Sequence, residues 1–338
     1  MRYDFGSDNT AGMAPGALDA LIQANAGPVR AYGSDAITAR AADAIRARMD
    51  ADAEVRFVFS GTAANAIALS MLAQPHEAVL AHHAAHICTD ETGAPGFFGH
   101  GVGLIGLPGF SGKIDPDVLR GALSEPEVGH RQPPGALSLT QSTEYGTVYD
   151  RDELAALIEP ARAAGLKVHM DGARLANAAA AGFDLKDVAR LGVDILVFGG
   201  AKAGANCAEA LVVFDTSLAR RLDNRLKQAG QTASKTRFLS APILGLLDSG
   251  EWDSGAAHAN AMAQRLAEGV AERSRFVLAH PVEANAVFVR MDEDAHAAVM
   301  EQGWACYRFD DGSVRFVCSW DTKAEAVDQL VEAMASGA

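Results

Sequence analysis

Two short stretches hold the residues most able to do chemistry: HMDGAR, where an acid is followed three positions later by an arginine, and GGAKAG, where a lysine stands among small residues. A lysine amine becomes a nucleophile toward a carbonyl when desolvation or neighbouring charge lowers its pKa. Gly199, Gly200, Ala201, Ala203 and Gly204 leave room around Lys202 for a flat ligand. The same string also fits a solvated lysine in a glycine turn. Asp171 is placed either to pair with a protonated ring nitrogen, holding the charge that makes a ring an electron sink, or to cap the helix that follows it. Arg174 can face the same crevice from the first helical turn and grip a carboxylate bidentately, or act as an ordinary surface ion-pair partner. Ser60, Gly61 and Thr62 form a turn whose amides and hydroxyls suit a phosphate, and equally a plain helix cap. His83 and His86, within HHAAHICTDE, have a spacing compatible with metal ligation, but no third ligand lies at a supporting interval. No metal is expected.

These residues need elements to position them. RFVFSG (56 to 61) reads as a strand and TAANAIALSMLA (62 to 73) as a buried helix. The same alternation returns at AVLAH (78 to 82), ALSLTQS (136 to 142) with the helix DRDELAALIEPARAAG (150 to 165), LKVHMDG (166 to 172) and DILVFGG (194 to 200). Strands alternating with helices predict an α/β fold whose mostly parallel central sheet carries helices on both faces. In such sheets ligands bind beyond the carboxyl ends of the strands, where SGT, HMDGAR and GGAKAG all fall. After about residue 242 the pattern changes to a long helix, a strand at EANAVFVRMD, a hairpin turning at DDG and a final helix. This predicts a large domain over 1–242 and a smaller C-terminal α+β domain over 243–338. No strand-to-helix turn carries a well-placed GxGxxG. The glycines of GHGVGLIG (99 to 106) lead into a strand-like run, which sets aside a nicotinamide-dependent oxidoreductase.

The bulk composition narrows the partners. At 338 residues with 49% hydrophobic and 21% charged residues the chain has material for a substantial core. A net charge of −14 argues against nucleic acid as a partner. The first residues lack an apolar segment, and no run is long enough to span a bilayer. Cys88, Cys207, Cys306 and Cys318 form no CxxC pair, which fits reduced thiols and a cytoplasmic location.

In order along the chain, DFGSDN, YGSD (32 to 35), SGTAAN (60 to 65), AHICTDE (85 to 91), HMDGARL (169 to 175), the GGAK lysine, RLKQAGQ (225 to 231) and VRFVCSWDT (314 to 322) resemble the threonine aldolases. These belong to the β-eliminating lyase group of pyridoxal phosphate (PLP) enzymes and share the aspartate aminotransferase-like fold, PLP-dependent transferase fold type I. The resemblance implies PLP as cofactor and a small amino acid as substrate, cleaved to glycine and an aldehyde. It makes Lys202 the Schiff-base lysine and Asp171 the partner of the pyridine nitrogen. Ser60, Gly61 and Thr62 would surround the phosphate, and His86 would stack on the ring. Ser7, Arg174 and Arg315 would address the substrate carboxylate. Tyr32 and Lys227 match stretches that reach the cofactor site of a neighbouring subunit, implying a homodimer or homotetramer with shared active sites. Two departures stand out. STEYG puts Glu144 where many threonine aldolases have a histidine that contacts the β-hydroxyl, leaving Glu144, His86 or water as the proton acceptor. AKAGANCAE replaces the commoner SKGLGAPVG around the lysine. Other reactions of the same cofactor, β-elimination or racemisation, and a non-catalytic binding protein retaining the fold remain as alternatives.

Overall fold

The computed structural model describes residues 1–126, 128–309 and 311–336. Thirteen strands form among the described residues. Those of the main sheet are β1 (Glu54–Val58), β2 (Ala78–His82), β3 (Gly103–Leu107), β6 (Pro134–Thr140), β7 (Lys167–Gly172), β8 (Ile195–Phe198) and β9 (Glu209–Val213), in the order β1-β9-β8-β7-β6-β2-β3. β4 (Gly109–Phe110) and β5 (Lys113–Ile114) pair separately. β10 (Val277–Leu278), β11 (Ala286–Arg290), β12 (Tyr307–Arg308) and β13 (Ser313–Val317) make an antiparallel sheet in the order β10-β11-β13-β12.

The main sheet is parallel through β3, β2, β6, β7 and β8. β9 runs against both of its neighbours, so β1 regains the common direction. The mostly parallel sheet expected from the alternation of elements is therefore present, with one reversed strand. Alternate side chains of a strand point to opposite faces, and both faces are covered. Leu196 and Phe198 of β8 join the core that includes Leu154, Leu157 and Ile158 of the helix Arg151–Ala163, while Ile195 and Val197 join that of Ala64, Ile67 and Ala68 in the helix Gly61–Leu72. Double burial explains the unbroken apolar run ILVF, since each Leu or Ile so enclosed contributes about 1.5–3 kcal/mol.

The helix Arg151–Ala163 starts where a capping box places it: Asp150 accepts from the Glu153 amide, and Glu153 accepts in return from the Asp150 amide. The long helix expected near the C-terminal third runs Glu251–Arg273. It packs with the helices Glu293–Glu301 and Ala324–Ser336 and the four-stranded sheet around Val287, Val289, Val314, Phe316 and Leu330. Phe5, only 1% exposed, sits in this same core, and its carbonyl accepts from the Val317 amide at 2.9 Å. The chain's first residues thus lie against its last strands. Position 242 falls inside the helix Arg237–Ser249. Of the DDG turn, Asp310 lies outside the described residues. Asp311 accepts from the Ser313 amide at 2.9 Å, and Gly312 takes the left-handed conformation (φ 81°) that closes the hairpin.

Candidate active site

The common direction of β1, β2, β6, β7 and β8 brings their carboxyl ends to one edge. Asp171 lies next to last in β7, and Ser60, His86, Glu144 and Lys202 follow the ends of β1, β2, β6 and β8. In register, Thr140 lies opposite Asp171, and Asp171 opposite Val197, one strand from the lysine-bearing turn Ala201–Ala203.

Asp171 is 5% exposed. Its Oδ1 accepts from the Ala173 amide and its Oδ2 from Asn65 Nδ2, each at 2.9 Å. It does not cap the following helix: that helix is Leu175–Ala180, with Arg174 at the N-cap position and no side-chain cap. Burial alone raises a carboxyl pKa, but the Lys202 charge and the two hydrogen bonds outweigh it and hold Asp171 below the ordinary carboxylate range. Lys202 is shifted the complementary way. Burial and then the Arg174 charge push its amine below an ordinary lysine, against the opposing charges of Asp8, Asp171 and Glu209.

The glycines before Lys202 serve the backbone rather than a ligand. A Cβ at Gly199 would stand 2.4 Å from the Ala173 carbonyl oxygen, one at Gly200 2.5 Å from that of Ala208, and one at Gly172 2.4 Å from that of Val197. At Gly199 and Gly200 the room expected around the lysine is thus filled by neighbouring main chain, which fixes the turn. Trp252 adds to this, stacking on Phe198 at 5.0 Å and donating its indole N–H to the Gly199 carbonyl at 3.2 Å.

His86 is joined to Asp171 through two side chains that the sequence reading did not single out. Its Nδ1 lies 2.9 Å from Glu91 Oε1, and Asn65 Nδ2 donates to that same oxygen at 2.8 Å while also reaching Asp171. The Glu91 hydrogen bond is the main reason the imidazole pKa is raised; burial opposes it, and the Asp171 charge supports it. Glu144 Oε1 accepts from the His86 amide and the Thr140 hydroxyl, each at 2.9 Å. Its Oε2 is buried without a partner. Burial first, and then the Asp171 charge, push the Glu144 carboxyl up despite those donors.

Arg174 does not stand free. Its Nε and Nη2 engage Asp8 at 2.7 and 2.9 Å, and Asn285 Nδ2 donates to the same carboxylate at 3.1 Å. Burial raises the Asp8 pKa, but Arg174, Lys202 and the hydrogen bonds carry it down to about 2. Because the folded value lies below the unfolded one, this stabilisation is complete above about pH 4 and is lost as the pH falls toward 2. It is worth about 2 kcal/mol, and denaturant unfolding at pH 5 and pH 2.5 should register the loss. Asp8→Asn should flatten that slope and destabilise the fold by about 3–5 kcal/mol, by leaving Arg174 buried without its anion.

Arg315, on β13, has its guanidinium over the Phe309 ring at 5.1 Å, and its Nε is buried without a partner. Burial and the nearby Arg174 charge lower its pKa to about 10. Among the described residues no carboxylate forms an ion pair with it. Ser7 accepts from the Asn9 amide at 3.2 Å and so caps the short turn that carries Asp8.

Ser60 caps the helix Gly61–Leu72, accepting from the Ala63 amide at 3.2 Å, with Gly61 and Thr62 in the first turn. Tyr32 and Lys227 are brought to each other: the ammonium lies 5.0 Å from the ring centroid, and Tyr32 is 58% exposed. Among the described residues neither makes a hydrogen bond or ion pair with Asp171, Lys202 or His86. Gln231, from the same stretch as Lys227, accepts from the Phe59 amide at 2.9 Å and so lies beside the Ser60 turn. Glu209, buried in β9, accepts from the Gly200 amide at 2.6 Å. It stood unremarked within AKAGANCAE, just as Asp8, Asn65 and Glu91 did within their motifs. His83 Nδ1 faces the Leu107 carbonyl at 3.3 Å. No group of three or more His, Cys, Asp or Glu is placed to hold a metal among the described residues. Among them, too, no helix is long and apolar enough to cross a membrane.

Residues 4–294 match the β-eliminating lyase family model. The chain is 46% identical over 329 residues to a low specificity L-threonine aldolase of Pseudomonas sp. (strain NCIMB 10558), covering 96% of this chain and 95% of that one. A solved threonine aldolase from Leishmania major superposes with a TM-score of 0.92 at 30% identity, over 99% of both chains. Thermus thermophilus aspartate aminotransferase matches with a TM-score of 0.74 at 19% identity, over 99% of this chain and 92% of that one, which shows the shared fold type I. The chain belongs to the β-eliminating lyase family, where its relatives include low-specificity L-threonine aldolases.

Proposed function

We propose that this edge holds PLP and that the chain cleaves L-β-hydroxy-α-amino acids, threonine, allo-threonine and phenylserine among them, to glycine and an aldehyde. The observation that carries the reading is the pairing of a buried, ionised Asp171 with the depressed amine of Lys202 on neighbouring strand ends. The surroundings fit the cofactor. Asp171 keeps acceptor capacity beyond its two donors, the helix Gly61–Leu72 offers first-turn amides to a phosphate, and Asn65, Glu91, Glu144 and Arg315 each have a buried polar atom without a protein partner. Lys202 would hold the cofactor covalently, Asp171 would keep its ring nitrogen protonated, and Ser60, Gly61 and Thr62 would receive the phosphate. Bound there, PLP supplies an electron sink for the bond broken at the α-carbon of an amino acid.

The chain's own groups do the rest. Arg315, with an unpartnered Nε, draws in the substrate carboxylate and fixes it at one point, which restrains rotation of the α-carbon substituents. Arg174, already bound to Asp8, adds positive field beside it, and Ser7 supports the Asp8 turn. Above its raised pKa His86 is neutral and donates from Nδ1 to Glu91, which leaves Nε2 as the acceptor for the β-hydroxyl proton. Glu144 positions the residue through its bond to the His86 amide. The chain acts as a homodimer or homotetramer in which the exposed Tyr32 and Lys227 approach a neighbour's site, and it works in the cytoplasm, where its four free cysteines stay reduced.

Incubation of the PLP-loaded protein with threonine tests the reaction. Glycine and acetaldehyde in equal amounts are expected; a 2-oxo acid with ammonia would assign β-elimination, and D-allo-threonine, the product of inversion at the α-carbon alone, would assign racemisation. Arg315→Leu should raise KM for threonine about 10–100-fold while leaving the visible absorbance of the loaded protein unchanged, as measured by initial rates and an absorbance scan.

A further inference from the structure

β9 is apolar except at its first residue, Glu209, which is 4% exposed and lies opposite Val58 of β1. A carboxylate so enclosed is costly unless donors and charge answer it. Here both do. Glu209 Oε2 accepts from the Gly200 amide at 2.6 Å, at the start of the turn Ala201–Ala203 that carries Lys202. That turn is pressed against the same strand: a Cβ on Gly200 would stand 2.5 Å from the Ala208 carbonyl oxygen, and the Gly200 carbonyl accepts from the Ala203 and Ala205 amides at 3.1 and 3.0 Å.

We infer that Glu209 is a positioning residue for Lys202, bracing the lysine-bearing turn against β9 and supplying buried negative charge beneath the amine. The charged or titratable groups facing Lys202 are Arg174 from the turn after β7, Asp171 from β7, Asp8 from the N-terminal turn, Glu209 from β9 and His86 after β2. Arg174 and burial favour the neutral amine, and the three carboxylates favour the charged one. Glu209 faces Lys202 and Asp171. Burial raises its own pKa to about 7 against the hydrogen bonds of the Gly200 and Ala201 amides and the Lys202 charge, so that above that pH it is ionised. Removing its charge therefore lowers the pH at which Lys202 gives up its proton.

The inference rests on the assignment of Lys202 as the cofactor lysine, and its test separates the two. Glu209→Gln keeps the length and a carbonyl oxygen for the Gly200 amide but removes the charge; Glu209→Asp keeps the charge but shortens the reach. In the full chain without PLP, the rate of acetylation of Lys202 by acetic anhydride is followed against pH by peptide mass spectrometry. The midpoint should fall by about one pH unit in E209Q and stay with the wild type in E209D. A purely structural brace would give the opposite order. A wild-type midpoint in E209Q, or a fall in E209D as large as that expected of E209Q, overturns the inference, and either variant suffices if the other does not fold. In the PLP-loaded proteins the visible absorbance transition with pH should also differ between E209Q and wild type. Failure of the wild type itself to take up PLP would sink the cofactor assignment while leaving the acetylation result to stand.

Discussion

Lys202→Ala should abolish the visible absorbance of the PLP-loaded protein and lower kcat for threonine by more than about 10³-fold, a scale set by the loss of a catalytic nucleophile and proton carrier. No neighbour can substitute. The groups that face the amine are three carboxylates, the His86 imidazole and a guanidinium already bound to Asp8, and none of these is a primary amine able to form the same covalent link. The fold should survive, since the turn is held by main-chain contacts at Gly199 and Gly200 and by Trp252 rather than by the lysine. Circular dichroism and thermal unfolding check that, and initial rates with an absorbance scan check the rest. A yellow, active variant would refute the role.

Asp171→Asn should lower kcat by about 10²–10⁴-fold with a much smaller change in KM, because an amide cannot keep a ring nitrogen protonated. The substitution is close to isosteric. The asparagine carbonyl can still accept from either Asn65 or the Ala173 amide, so a folded protein that binds cofactor is expected. The same change withdraws one of the charges that favour protonated Lys202, so in the chain without PLP the amine's transition from charged to neutral should move to lower pH. Steady-state kinetics of the loaded variant, and acetylation of Lys202 against pH in the chain without PLP, report the two effects. Equal losses in affinity and turnover, with an unmoved transition, would instead describe a residue that only shapes the pocket.

Much of this arrangement was legible in the sequence because strand ends in a parallel sheet share an edge. SGT, HMDGAR and GGAKAG followed apolar runs, and β1, β7 and β8 formed at those runs. What the runs do not encode is direction: EALVV has the same composition either way, and β9 passed unnoticed as the reversed strand. Glycine was misread around Lys202 for a related reason. The string shows an absent side chain, but only the fold shows that the Ala173 and Ala208 carbonyls fill the space. Arg174 was legible as a guanidinium near the crevice, whereas its partner Asp8 lies 166 positions away and no local pattern couples them. Asn65 and Glu91 were in plain view within SGTAAN and AHICTDE, yet their chemistry arises only when β2 and β7 bring His86 and Asp171 to opposite ends of one hydrogen-bonded chain. The choice among PLP reactions was carried by resemblance rather than by spacing, since the lysine, acid and arginine read alone fitted several chemistries.

The central claim is that Lys202 is the residue that binds the cofactor covalently. Reduction of the PLP-loaded protein with borohydride, followed by peptide mass spectrometry, tests it most directly. The phosphopyridoxyl mark should lie on Lys202 within the peptide containing FGGAKAGANC, with the other lysines unmodified. A mark confined to Lys227 or any other lysine, or none at all after full loading, would contradict it.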